Sequence, residues 1–168
     1  MGKQEHLIAD IRECRRAERP VRQLMLSKAD QVRLTAAQWQ EGLYGKRFGS
    51  EEDASFRSVL AALSSDLISV EVSRFRYNDV MQPAGEYQHY YYRLSAELKG
   101  LLDRQTLLWG SWNWGSLYGF EDPTFYSAST GTREMVGSVI SHEPLIYLYL
   151  DLQDYEAFST EHAIQWNH

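Results

Sequence analysis

The sequence predicts an α+β domain: N-terminal helices packed on a mainly antiparallel β-sheet formed by the C-terminal two-thirds. Three observations predict it. Apolar residues recur at helical spacing near the start and again after Ser50. From Leu67 onward the dominant period becomes two, in strand-sized runs. Turn clusters such as Thr130-Gly131-Thr132 separate the late runs, too tightly for helical crossovers. A chain of 168 residues, 43% hydrophobic and 24% charged, fits one domain, residues 1–168.

The elements follow in order. Residues 3–18 read as an amphipathic helix, with Leu7, Ile8, Ile11 and Cys14 on one face and arginines on the others. Pro20 should end it, because the residue before a proline avoids the α region. Leu24-Met25-Leu26 suggests a strand near 22–27, and Thr35 a cap for a helix to about 44. A hairpin through Val32 and Leu34, and a helix capped by Ser27 with Val32, Ala36, Trp39 and Leu43 in line, are the alternatives for residues 21–44. Ser50 followed by Glu51, Glu52 and Asp53 is a helix start, with acids facing the positive end of the helix dipole. Phe56, Val59, Leu60 and Leu63 form its apolar stripe.

Leu67–Tyr77 reads as a strand, paired as a hairpin with the aromatic run Tyr87–Leu94. Ser95 caps a short helix reaching Arg104. Four further strands are expected at 106–112, 124–127, 135–141 and 145–152. Residues 154–163 form a last helix or an irregular tail.

Composition narrows the function classes. Cys14 is the only cysteine, so the chain has no internal disulfide. We expect Cys14 to be a small apolar residue on a helix face. The N-terminus lacks the apolar core of a secretory signal, and no apolar run is long enough to span a membrane. The expected location is the cytoplasm, with no membrane partner. Formal charge is −6 overall: +4 over residues 1–49, −3 over 50–104 and −7 over 105–168. Such an acidic last third repels a phosphate backbone and steers a basic partner inward.

The stretch Leu107–Tyr126 carries three of the five tryptophans, and Glu121-Asp122-Pro123 reads as a loop within it. Exposed indoles and tyrosines anchor protein partners well. The expected binding residues are therefore Trp112, Trp114, Tyr118, Glu121, Asp122, Asp151 and Asp154. Filling the sheet's core and stacking on a sugar or other small molecule are the other roles open to the indoles. Paired carboxylates do acid–base work when burial separates their pKa values, so Glu121, Asp122 and His142 are the residues a hydrolase would use. The histidines lack metal-site spacing, and phosphate-loop, dinucleotide and nucleophile-elbow motifs do not occur. No cofactor or metal is expected.

Arg47-Phe48-Gly49 and, much later, Leu107-Leu108-Trp109-Gly110 resemble short stretches of a small accessory subunit of type III CRISPR effector complexes. The N-terminal helix has no counterpart there. The resemblance implies a structural subunit of a ribonucleoprotein assembly. RNA would then meet Arg74, Arg76 and Arg93, beside Tyr90-Tyr91-Tyr92. The first expectation is different: a non-catalytic protein-binding module, acidic and of the immunity or regulator type, that binds a basic protein.

Overall fold

The computed structural model describes residues 2–36, 50–73, 75–77, 80–81, 87–108, 116–141, 143 and 145–167. The N-terminal half holds β1 (Gln4–Ile8), α1 (Ile11–Lys28), β2 (Gln31–Ala36), α2 (Ser50–Ala62) and β3 (Leu67–Ser73). After it come β4 (Phe75–Tyr77), β5 (Val80–Met81), β6 (Tyr87–Arg93) and α3 (Ala96–Asp103). The chain continues through β7 (Phe120–Ser127), β8 (Glu134–Ile140), β9 (Leu145–Leu150) and α4 (Leu152–His162). Seven strands form one antiparallel sheet, ordered β1-β9-β8-β7-β2-β6-β3, and β4 and β5 pair separately. The α+β class holds.

The start of the chain departs from expectation. Leu7 and Ile8 belong to β1, and the helix begins only after Asp10, whose carboxylate accepts the N–H groups of Arg12 and Glu13 at 2.9 Å each. The helix then runs straight through Pro20 to Lys28, absorbing the strand expected at 22–27. An interior proline forfeits one helix hydrogen bond and crowds the preceding turn, at about 3 kcal/mol. The offset is visible: buried Cys14, Ala17, Val21 and Met25 form one stripe that continues in register across the proline. The helix expected from Thr35 fails at its start, since Thr35 and Ala36 lie in β2; residues 37–44 lie outside the described residues.

Later elements agree better. The helix from Ser50, the pairing of β3 with β6 and the final helix are all present. So is the cap on α3, where Ser95 Oγ accepts the N–H of Leu98 at 3.2 Å. The strand expected at 106–112 is absent over Thr106–Leu108, and 109–112 lie outside the described residues.

Cross-strand register decides which side chains share a face. Val32, Tyr92 and Phe125 lie on one face with Gly137, Leu148 and Ile8. That face takes the helices. Met25 of α1 sits over Gly137, where a Cβ would meet Met25 Sδ at 2.6 Å and the Tyr147 carbonyl at 2.9 Å. Phe56 of α2 meets Phe120 and Tyr90 edge-on, with centroids 5.2 and 6.1 Å away. Tyr155 of α4 stacks on His6 at 4.1 Å, and α3 packs on α1. The opposite face carries Glu5, Tyr149, Ser138, Thr124, Arg33, Thr35, Tyr91, His89 and Glu71.

Candidate functional site

The tryptophan-rich stretch is anchored at both ends. On its N-terminal side, Glu18 of α1 accepts the Leu107 N–H at 3.1 Å, and its neighbour Arg22 donates to the carbonyls of Asp103 and Gln105. Arg22 and Glu18 pair at 3.1 Å, both nearly buried. Leu107 and Leu108 enter the core there, and Leu117 and Phe120 re-enter it beyond. Gly119 adopts φ 89°, and a Cβ there would lie 2.4 Å from the Phe56 ring, so this turn requires glycine. Trp109, Trp112 and Trp114 lie outside the described residues.

The expected acidic docking residues are not gathered. Glu121-Asp122-Pro123 is not a loop; it lies in the central strand β7. Arg33 pairs with Thr124 but Thr35 with Glu121, so Asp122 and Pro123 together oppose Leu34 as a bulge. A bulge suits a proline that cannot donate to the ladder. Asp122 takes the left-handed region at φ 51° and is 2% exposed. Its Oδ1 accepts the Ser141 N–H at 2.7 Å, and its own N–H donates to Ser141 Oγ at 2.8 Å. This carboxylate fastens β7 to the end of β8 and is withdrawn from any docking face. Glu121 and Tyr118 are half-buried nearby.

Asp151 and Asp154 sit at the other end of the sheet. Phe125 is level with Gly137 and Leu148, so the end of β9 lies beside Ser127, about 20 Å along the strand from Glu121. Asp151 caps α4 by accepting the Asp154 N–H at 2.8 Å, and Asp154 pairs with Lys28 Nζ at 2.6 Å. The residues proposed for a hydrolase fare similarly: Asp122 is structural and His142 lies outside the described residues. Among the described residues, no group of three or more His, Cys, Asp or Glu is placed to hold a metal ion.

For the RNA alternative, Arg93 points to Asp66 at 3.7 Å and to the Ser65 carbonyl at 3.3 Å. Arg74 and the side chain of Arg76 lie outside the described residues. Cys14 is a buried helix-face residue, as expected. Its thiol donates to the Ile8 carbonyl at 3.3 Å, and burial, with Asp10 and Glu13 adding to it, pushes its pKa up to about 12. Such a thiol is unreactive at neutral pH.

Two surfaces stand out that the sequence reading did not single out. The first is β3, an edge strand among the described residues. Val70 pairs with Tyr90 and so belongs to the helix-bearing face, as does Val72 beside it, yet they are 45% and 60% exposed. Leu67 and Ile68 are exposed too. A period-two apolar run gave the strand; nothing local announced that its apolar side stays open.

The second surface is the opposite face around Arg33 and Arg133. Arg33 donates to Thr124 Oγ1 at 3.2 Å, and Thr124 contacts Ser138 Oγ at 3.1 Å. Arg133 lies 4.0 Å over the Tyr91 ring and donates to Gln31 Oε1 at 2.8 Å. Burial pushes the Tyr126 hydroxyl up to about 12, against the pull of both Arg33 and Arg133. Thr35 Oγ1 and His89 Nδ1 are 2.8 Å apart on the same face. Arg133 was visible only as the sole cation of the acidic third.

Comparison with known proteins adds no relative: no protein-family model, curated protein or solved structure matches this chain.

Proposed function

We propose that the chain is a non-catalytic protein-binding module of the acidic immunity or regulator type, and that it takes a strand of a basic partner along β3. The exposed apolar side of that edge carries the reading. An edge strand offers a row of unpaired backbone groups, and natural proteins guard such edges with lysine, proline or a covering segment. Over β3 the only charged side chain is Glu71. An added strand gains backbone hydrogen bonds from the edge and specificity from alternate side chains.

The incoming strand would set apolar residues beside Val70 and Val72, and a basic residue beside Glu71. Glu71 is 54% exposed and its contact to Arg133 is long, at 3.8 Å. The overall charge of −6 favours the approach of a basic protein. An edge of this length, about 20 Å, offers room for one added strand. A segment of a partner therefore suits it better than a second copy of this fold pairing edge to edge.

The test pairs capture with mapping. Proteins captured from the source cells by the wild-type chain are compared with those captured by Val72→Lys. The captured partner is then bound again and backbone hydrogen exchange is followed. We expect a basic partner that Val72→Lys fails to retain and that slows exchange across residues 69–73. A partner that binds both chains alike and leaves those amides unprotected overturns the reading, as does a dimer of this chain that Val72→Lys dissolves.

A further inference from the structure

We propose that the sheet face opposite the helices holds an oxyanion between Arg33 and Arg133. Arg33 projects from β2, the fifth strand of the sheet counted from β1, and is only partly exposed. Its single hydrogen bond among the described residues goes to Thr124; its Nε is buried and has no partner. No carboxylate of the described residues lies within ion-pair distance of it. A guanidinium cannot shed its proton at any ordinary pH, so burial cannot be relieved by neutralisation. Partial desolvation of an unpaired cation is costly, and a bound anion offsets it.

A second cation borders the same ring. Tyr91 is the cross-strand partner of Arg33, and Arg133 lies over that ring. Directly opposed side chains on one sheet face have Cβ atoms about 5 Å apart, and both guanidiniums act electrostatically on the Tyr126 hydroxyl, which puts the two charges in one neighbourhood. The only carboxylate pairing with Arg133 among the described residues is Glu71, at 3.8 Å. Gln31 fixes the Arg133 Nε from the other side at 2.8 Å. The buried hydroxyls of Thr124, Ser138 and Tyr126 lie on the same face.

The geometry selects the ligand by its acceptors. A planar guanidinium fork matches a group offering two oxygens, as phosphate and carboxylate both do. A chloride ion offers one point of contact and cannot bridge the pair in that way. Glu71 competes for Arg133, so an entering oxyanion displaces it and removing its charge strengthens binding. This site lies beside the β3 edge but does not depend on it, so either proposal can fail alone.

The probes are sodium phosphate, sodium acetate and sodium chloride, titrated into the full chain at constant ionic strength and neutral pH. The readout is the arginine Nε–H resonances, assigned with Arg33→Gln and Arg133→Gln. We expect saturable shifts of the Arg33 and Arg133 signals with phosphate or acetate and none with chloride. Whichever of the two saturates at lower concentration names the ligand chemistry. In Glu71→Gln the midpoint should fall about five-fold, the effect of one exposed like charge removed. Arg133→Gln changes a partly exposed side chain and should weaken the Arg33 response even if Arg33→Gln does not fold. Linear shifts shared by every arginine, an equal response to chloride, or an unchanged midpoint in Glu71→Gln overturns the site.

Discussion

The two edges of the sheet meet the same problem and treat it differently. At β1 the edge is closed. The Asn167 N–H donates to the Leu7 carbonyl at 2.8 Å, and Asn167 Oδ1 accepts the Ala9 N–H at 2.6 Å. Arg16 reaches over to the carbonyls of His162 and Ala163, at 2.8 and 2.6 Å, and Glu13 Oε1 accepts the Gln165 N–H at 2.9 Å. Trp166 lies against His6 and Tyr155, with its indole N–H on Ser159 Oγ at 2.8 Å. Among the described residues, the β3 edge is blunted only by a bulge near Ile68, where Leu67 pairs with Tyr92 and Ser69 with Tyr91. The difference teaches that this fold can close an edge with a few residues of chain. An edge left apolar and, among the described residues, uncovered is therefore a feature that needs a use.

The contrast can be broken most strongly at its closed side. Trp166→Ala should cost about 2 kcal/mol, less than a fully buried tryptophan because the ring is partly exposed. Denaturant midpoints would register the loss, and hydrogen exchange should quicken over residues 4–8 far more than over 67–73. Equal quickening at both edges would mean that the C-terminal segment is not the cover.

Acid gives a second, milder way to open the same side. The Arg16 guanidinium holds the Glu13 carboxyl below the usual carboxylate range, with burial opposing and the Gln165 N–H assisting. A carboxylate lowered in the folded state contributes stability that is complete above its unfolded value. That contribution disappears as pH falls through the lower folded value. Exchange at residues 4–8 and 164–167 should therefore rise below the carboxylate range, and Glu13→Gln should flatten the rise. β3 should show no matching change.

The smallest effect belongs to the open side. Val72→Lys should change stability by no more than about 0.5 kcal/mol, because the side chain already faces solvent. Thermal or denaturant unfolding checks this directly. A loss of several kcal/mol would show that Val72 is covered in solution.

What the sequence made legible was local. Ser95 and the stripe from Phe56 to Leu63 mark helices because capping and periodicity are decided within one or two turns. The hairpin of β3 and β6 was readable from alternation. Pro20 and Pro123 misled for the same reason: each is a local breaker overruled by distant contacts. Around Pro20 a buried stripe meets the sheet; around Pro123 a bulge is tied down by Ser141. The site was less legible still. Arg33 and Arg133 are far apart in the chain, and only the sheet order, with β2 and β8 on either side of β7, puts β2 and the residue before β8 in one part of the sheet. Asp122 looked like a docking acid because charge is visible in a sequence and burial is not.

The sheet order also bears on how the chain emerges from a ribosome. β1 is made first, but its neighbour β9 begins only at Leu145 and the segment bearing Asn167 comes later still. At synthesis rates of about 5–20 residues per second, Gln4–Ile8 waits on the order of ten seconds with neither side bonded. A nascent-chain chaperone that favours short apolar segments would find Leu7 and Ile8 during that interval, well before the strand is enclosed.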